Sequence, residues 1–289
     1  MLAAACWALG ALFSAPVARK IGSFAFTRWR LVFSTLVLGG YATLAGSWST
    51  LDARLIGVLV LSGFIGIFVG DTALFACMNR LGPRRSGILF ATHSMMSAVL
   101  AAVFLGERMG VMAMLGCALL VSGVMAAIAW GSRAGVGSTW ENTRGRLAVG
   151  VGLGLVAALG QALGTLVVKP VMGPQVDPIA ASAIRMVAGF GFHALLLVGR
   201  WPPARLQARM AARDWQLLAG SALVSMAMGM TLILTALKYG SAGLVGMLSA
   251  VAPILLLPLL WWHTRVVPTP GACAGAVLTV VGVALILLR

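Results

Sequence analysis

The sequence predicts an all-α integral membrane protein, with ten transmembrane helices arranged as two inverted five-helix repeats around a central cavity. Three observations carry that expectation. The 289-residue chain is 61% hydrophobic and only 9% charged, whereas soluble domains carry about 25% charged residues; its solvent is therefore lipid. Apolar runs of about 18–25 residues, each long enough to cross a bilayer, recur along the whole chain. The residue pattern of the first half also returns in the second.

Taken in order, the runs fall at roughly 2–19, 24–46, 55–78, 86–105, 110–130, 147–168, 179–199, 215–237, 241–262 and 269–288. The first is apolar, with Arg19 and Lys20 after it rather than before it, and so reads as a retained span and not a cleaved signal. The longest polar connection, 131–146, reads "GSRAGVGSTWENTRGR". It divides the chain into a first five-helix repeat at 1–130, a connecting loop at 131–146 and a second five-helix repeat at 147–289. A shift of 159 residues lays "GDTALFACMNR" (70–80) on "GMTLILTALKY" (229–239) and aligns Gly87 with Gly246, Gly116 with Gly275 and Gly123 with Gly282, without a gap. A shift of 150 lays "ALGALFSAPVARK" (8–20) on "ALGQALGTLVVKP" (158–170), and one of 155 lays Arg30 on Arg185. Because five is odd, the second copy must enter from the opposite side, which inverts its topology.

The net charge of +15 does not imply nucleic acid, because the Lys and Arg stand singly between apolar runs and form no basic face. The four cysteines (Cys6, Cys77, Cys117, Cys273) all lie in apolar runs without metal-ligand spacing and read as small buried residues. No metal site is expected. No G-x-x-x-x-G-K-[ST] phosphate loop occurs, and no cofactor is expected.

The segment "FLGERM" (104–109) followed by the glycine-spaced "MLGCALLVSGVMAAI", together with "ALKYGSAGLVGMLSAVAPILLLPLL" (236–260), resembles the EamA group of the drug/metabolite transporter superfamily over nearly the whole chain. There are departures. Ser94 stands where that family often has Pro, which the second repeat keeps as Pro253; Glu107 faces Val266 in the second repeat. The resemblance implies a secondary transporter, not an enzyme, working by alternating access of the two repeats around a midplane cavity. It implies export of small amphiphilic metabolites, neutral and aromatic amino acids among them. Drugs or another metabolite class remain an alternative, as does an integral-membrane lipid-modifying enzyme, although six acidic residues and three His form no catalytic cluster in sequence.

The resemblance also implies a cavity lined by helices 1, 3, 4, 6, 8 and 9. Carried onto this chain, that selects Trp7, Ser14, Asp71, His93, Met96, Gln161, Met226, Met230 and Ser249 as substrate-binding candidates. Two of these also stand out on physical grounds, because ionisable groups at membrane depth are costly and usually face the protein interior. Asp71 is the one acidic residue well inside a span; it binds a substrate ammonium or proton, pairs with an arginine such as Arg28 or Arg30, or lies shallow enough to be wet. His93, between Thr92 and Ser94, is a proton carrier, a substrate contact or a neutral core histidine. Met residues on facing helices offer adaptable walls. His193 lacks polar sequence neighbours and reads as structural. Glu107 reads as a local partner of Arg108 or a fold element, and Arg30 and Arg185 as fold elements or carboxylate binders. Pro16, Pro253 and Pro258 fall inside spans, where they kink helices.

Alternate loops differ in charge. One set holds Arg19, Lys20, Arg80, Arg84, Arg85, Arg133, Arg144, Arg146, Arg200, Arg205, Arg209, Arg213 and Arg265; the other holds Arg54, Arg108, Lys169, Lys238 and Arg289. The positive-inside rule places the first set in the cytoplasm and both termini outside, against the superfamily's habit of termini inside. Arg205, Arg209 and Arg213 would share one face of a helix suited to anionic headgroups. The expected partners are a small-molecule substrate, the bilayer and possible coupling protons. The expected location is the cell's inner (plasma) membrane, crossed many times.

Overall fold

The computed structural model describes residues 1–107, 110–130, 145–252, 254–256, 258–259 and 269–287. Among the described residues the regular structure is helical. The helices are α1 (Leu2–Ile21), α2 (Ser23–Leu44), α3 (Ala53–Gly82), α4 (Arg85–Leu105), α5 (Val111–Trp130), α6 (Leu147–Val168), α7 (Pro178–Val198), α8 (Ala212–Tyr239), α9 (Ala242–Ser249) and α10 (Pro270–Leu287). By length and composition α1, α3, α4, α6, α7 and α8 are clear membrane spans. Shorter apolar helices occupy Val111–Ala126 and Pro270–Ile286. The 22-residue α2 has the length but carries Arg28 and Arg30 within it. The side chains at this surface fit lipid: Leu36, Val103, Val111, Leu195, Val198 and Val277 are all more than 60% exposed, an arrangement that water would penalise.

The two halves repeat one another in backbone detail. The first α-helical part of α3, Ala53–Ser62, gives way to a π-helical segment, Gly63–Asp71; the first part of α8, Ala212–Ser221, gives way to a π-helical segment, Ala222–Met228. Both π segments begin 159 residues apart, the same register read from the sequence. The helix break at Thr92 in α4 likewise corresponds to the turn at Ala250–Val251 after α9. A π turn inserts an extra residue into the α ladder and is frequent at functional sites.

Packing between α5 and α10 fixes the sense of the repeat. A Cβ on Gly116 would lie 2.6 Å from the carbonyl oxygen of Gly282, and one on Gly123 would lie 2.6 Å from that of Gly275. Gly116 corresponds to Gly275 and Gly123 to Gly282, so the contact is reciprocal, as across a two-fold axis. The pairs run in opposite directions along the two helices, which are therefore antiparallel. A two-fold axis relating antiparallel helices lies across them, hence in the plane of the membrane: the repeats are inverted. Glycine permits this approach because a side chain at Gly116, Gly123 or Gly282 would strike backbone.

The connections are short and chemically specified. Gly22, at φ 87°, turns α1 into α2, and a Cβ there would sit 2.7 Å from Gln207. Gly82, at φ 82°, separates α3 from α4. Asp52 accepts from the Leu55 N–H at 2.7 Å, and Asp177 accepts from the Ile179 and Ala180 N–H groups at 2.7 and 3.0 Å ahead of Pro178; both are helix N-caps. At the start of α8, Asp214 accepts from Ala211 N–H and pairs with Lys20. The expected helix through Arg205, Arg209 and Arg213 does not form. Pro202–Ala204 is one 3-10 turn, residues 205–211 are irregular, and only Arg213 enters a helix. Two consecutive prolines and the cap at Ala211 start α8 later than the charge spacing suggests. Of the three span prolines, Pro16 lies within α1, Pro258 lies in a helical stretch, and Pro253 falls outside the described residues. Arg108, the expected neighbour of Glu107, and Val266 also fall outside them, as does most of the 131–146 connection.

Candidate functional site

Five of the six acidic residues lie in the described part, and four of them have a plain structural use. Asp52, Asp177 and Asp214 cap helices, and Glu107 reaches across the repeats. Its two carboxylate oxygens accept from the Ala242 and Gly243 N–H groups at 2.7 and 3.0 Å, closing the N-terminus of α9. Asp71 alone sits deep within a helix, at the last position of the first π segment. Its carboxylate stands 3.6 Å from the Arg30 guanidinium, and its Oδ2 accepts no hydrogen bond among the described residues. Arg30 is held on other sides. It lies 5.3 Å from the ring centre of Phe26 and 4.9 Å from that of Phe75, and it donates to Met226 Sδ at 3.1 Å. Met226 belongs to the second π segment. One ion pair therefore joins α2 and α3 of the first repeat and touches the matching backbone irregularity of the second.

The other sequence-selected residues spread around this pair in two groups. Met226 and Met230 pack with Leu31, Ile67, Ala183 and Met186 in one buried cluster, against which Trp7 rests. Trp7 meets Phe90 edge-on at 6.5 Å, and Phe90 lies 4.9 Å from His93. His93 is 1% exposed and neither ring nitrogen finds a partner among the described residues. Ser14 is paired with Ser221 Oγ at 2.7 Å and donates to Gly10 O. The Gln161 backbone borders Gly70, where α3 and α6 approach closely. Ser249 donates to its own helix at Gly246 O, and Met96 is half-buried. Trp7, His93, Met226 and Met230 thus share continuous packing, whereas Ser14, Gln161 and Ser249 lie buried at helix contacts.

His193, read from the sequence as structural, is fully buried. It lacks polar neighbours in sequence, yet its Nε2 meets Thr72 Oγ1 at 3.0 Å, with Phe24 and Phe68 edge-on to the ring. Thr72 follows Asp71, and one helical step of roughly 100° points the two side chains to different sides. Thr72 lines a cavity of about 860 Å³ between the 1–2 turn, α3, α6 and the end of α7. Arg19, Arg80, Asn79 and Gln207 form its polar mouth on the side of the basic loops, and Phe68, Val156 and Leu196 form its apolar wall. None of the nine sequence-selected residues lines this cavity. Sequence reading missed it because its polar and apolar lining comes from separate segments, with no local motif to mark them.

A search of curated proteins finds no match to this chain. Among solved structures, one described only as a crystal structure of a protein superposes with a TM-score of 0.80, covering 99% of this chain and 94% of the other at 17% identity. That likeness speaks to the fold. The sequence itself matches the EamA-like transporter family over residues 1–129 and 148–288, the same two stretches that repeat in the backbone. The chain belongs to the EamA-like transporter family of the drug/metabolite transporter superfamily, and is a multi-pass membrane protein of a small-molecule transporter family.

Proposed function

We propose that this protein exports small amphiphilic metabolites, neutral or aromatic amino acids in particular, across the inner (plasma) membrane by alternating access of its two repeats. The observation that carries this reading is Asp71. It is the one described acidic residue without a capping role, it lies at the π segment of α3, and its Oδ2 keeps unused acceptor capacity beside Arg30. A substrate ammonium is the natural donor for such an oxygen. The clustered Met226 and Met230 with Trp7 suit varied apolar side chains. Ser14, Met96, Gln161 and Ser249 complete the proposed lining. His93, with both ring nitrogens free of described partners, is the proposed proton carrier. As the carrier of a coupling proton it would make transport depend on pH.

The test is efflux of labelled phenylalanine and leucine from proteoliposomes. Asp71→Asn and His93→Ala should each reduce the rate while the protein remains inserted, and His93→Ala should also flatten the pH profile. Wild-type rates from both variants at every pH would remove these residues from the site. Absence of any counterflow by the wild-type protein, with lipid turnover in its place, would favour the enzyme alternative.

A further inference from the structure

The pseudo-two-fold axis sets Arg185 of α7 against Arg30 of α2, each the eighth residue of its helix. Their surroundings differ. Arg30 has Asp71, Phe26 and Phe75. At the corresponding positions of the second repeat stand Met230, Ala181 and Leu234, so the carboxylate and both rings are gone. Arg185 is nonetheless 1% exposed, among the largest fully buried side chains of the protein, and its Nε and Nη1 have no hydrogen-bond partner among the described residues. A guanidinium does not escape this by losing its proton. Room has been left for it: a Cβ on Gly66 would come within 3.3 Å of its Nη2. Gly66 lies on the same π segment as Asp71, five residues earlier, about one turn of that segment.

We propose that Arg185 is the carboxylate-binding group of the transport site, the bound substrate supplying the counter-ion that Asp71 supplies to Arg30. A planar fork with open N–H donors suits a carboxylate. A zwitterion placed between Arg185 and Asp71 satisfies both groups at once, its carboxylate on the guanidinium and its ammonium on the aspartate. The inference rests on the amino-acid reading above and narrows it to a preference for substrates with a free carboxylate over the matching amides and simple amines.

The test is binding to the purified full-length protein of four related probes: phenylalanine, phenylalaninamide, phenethylamine and 3-phenylpropionate. Wild-type protein should bind phenylalanine best and 3-phenylpropionate detectably. R185Q should weaken both acids by about tenfold or more and leave the amide and the amine within about twofold. R185K, which keeps the charge but loses the fork, should fall between, and it carries the test alone where R185Q does not fold. Wild-type preference for acid over amide retained in R185K and R185Q overturns the proposal. So does equal weakening of all four probes, the result of a merely structural arginine. Wild-type binding of the amine and amide without the acids overturns it while leaving an amphiphile exporter in place. Failure of the wild type to bind any of the four overturns both readings.

Discussion

Asp71 and Arg30 carry opposite charges into the interior, and the energetic consequences of separating them are calculable in outline. Removing one partner of a buried ion pair costs about 3–5 kcal/mol because the survivor is left uncompensated. Asp71→Asn leaves Arg30, but the faces of Phe26 and Phe75 still hold the guanidinium, and a desolvated cation–π contact is worth about 2 kcal/mol. The net loss should therefore be about 1–3 kcal/mol, read as a lower melting temperature in detergent. The double variant Arg30→Gln/Asp71→Asn should recover most of that stability without recovering transport. A double variant as unstable as Asp71→Asn would mean that the pair is not what sets the cost. The pairing was one of the alternatives legible in sequence, because an intramembrane acid needs a partner and Arg30 lay within reach. The isolation of Arg185 was not legible, since it depends on what stands at one position of its own helix and two of another. Nor was the role of Glu107, whose partners are backbone N–H groups 135 and 136 residues away.

At the scale of single helices, Glu107 clamps the turn after α4 to the first turn of α9, two elements that belong to different repeats. Caps of this kind contribute about 1 kcal/mol, and a negative charge at a helix N-terminus adds about 0.3–1 kcal/mol. Glu107→Ala should lose about 1–2 kcal/mol by these terms, and Glu107→Gln, which keeps an acceptor but no charge, should lose about half. Transport per folded molecule should be unchanged in both, measured by normalising efflux to folded protein; a selective loss of rate would place Glu107 in the transport cycle. The helices themselves were legible because hydropathy and length mark them. Their irregularities were not. The π segments at Gly63–Asp71 and Ala222–Met228 fall in runs so uniformly apolar that no periodicity reveals a change of pitch, and only the 159-residue register connects them. The irregular stretch at 205–211 shows the opposite error, where four-residue charge spacing suggested a helix that two prolines preclude.

For the whole molecule, the inverted repeat gives two faces that are alike in backbone and unlike in charge. On one face the described loops pack together. Lys20 pairs with Asp214, the Gln207 N–H donates to Ile21 O, and Arg205, Arg209 and Arg213 stay exposed. On the other, the carboxylates of Asp52, Glu107 and Asp177 are tied to helix N-termini. Lys169 and Lys238 there donate to the Leu237 and Val176 carbonyls at 2.7 and 2.8 Å. The second face thus presents few cations of its own, while the first concentrates them, and orientation follows Lys/Arg excess in short loops. Inverted repeats differ little otherwise, so this bias is the main determinant of which way the chain inserts. By that rule the basic face is expected in the cytoplasm and both termini outside, against the superfamily habit. In a protein with Cys6, Cys77, Cys117 and Cys273 replaced, a cysteine at exposed Ser49 should react with a membrane-impermeant maleimide on intact cells. A cysteine at exposed Arg205 should react only after the membrane is opened. The reverse pattern would mean that insertion of this family is set by something other than loop charge, and that the cavity beside Thr72 opens to the outside.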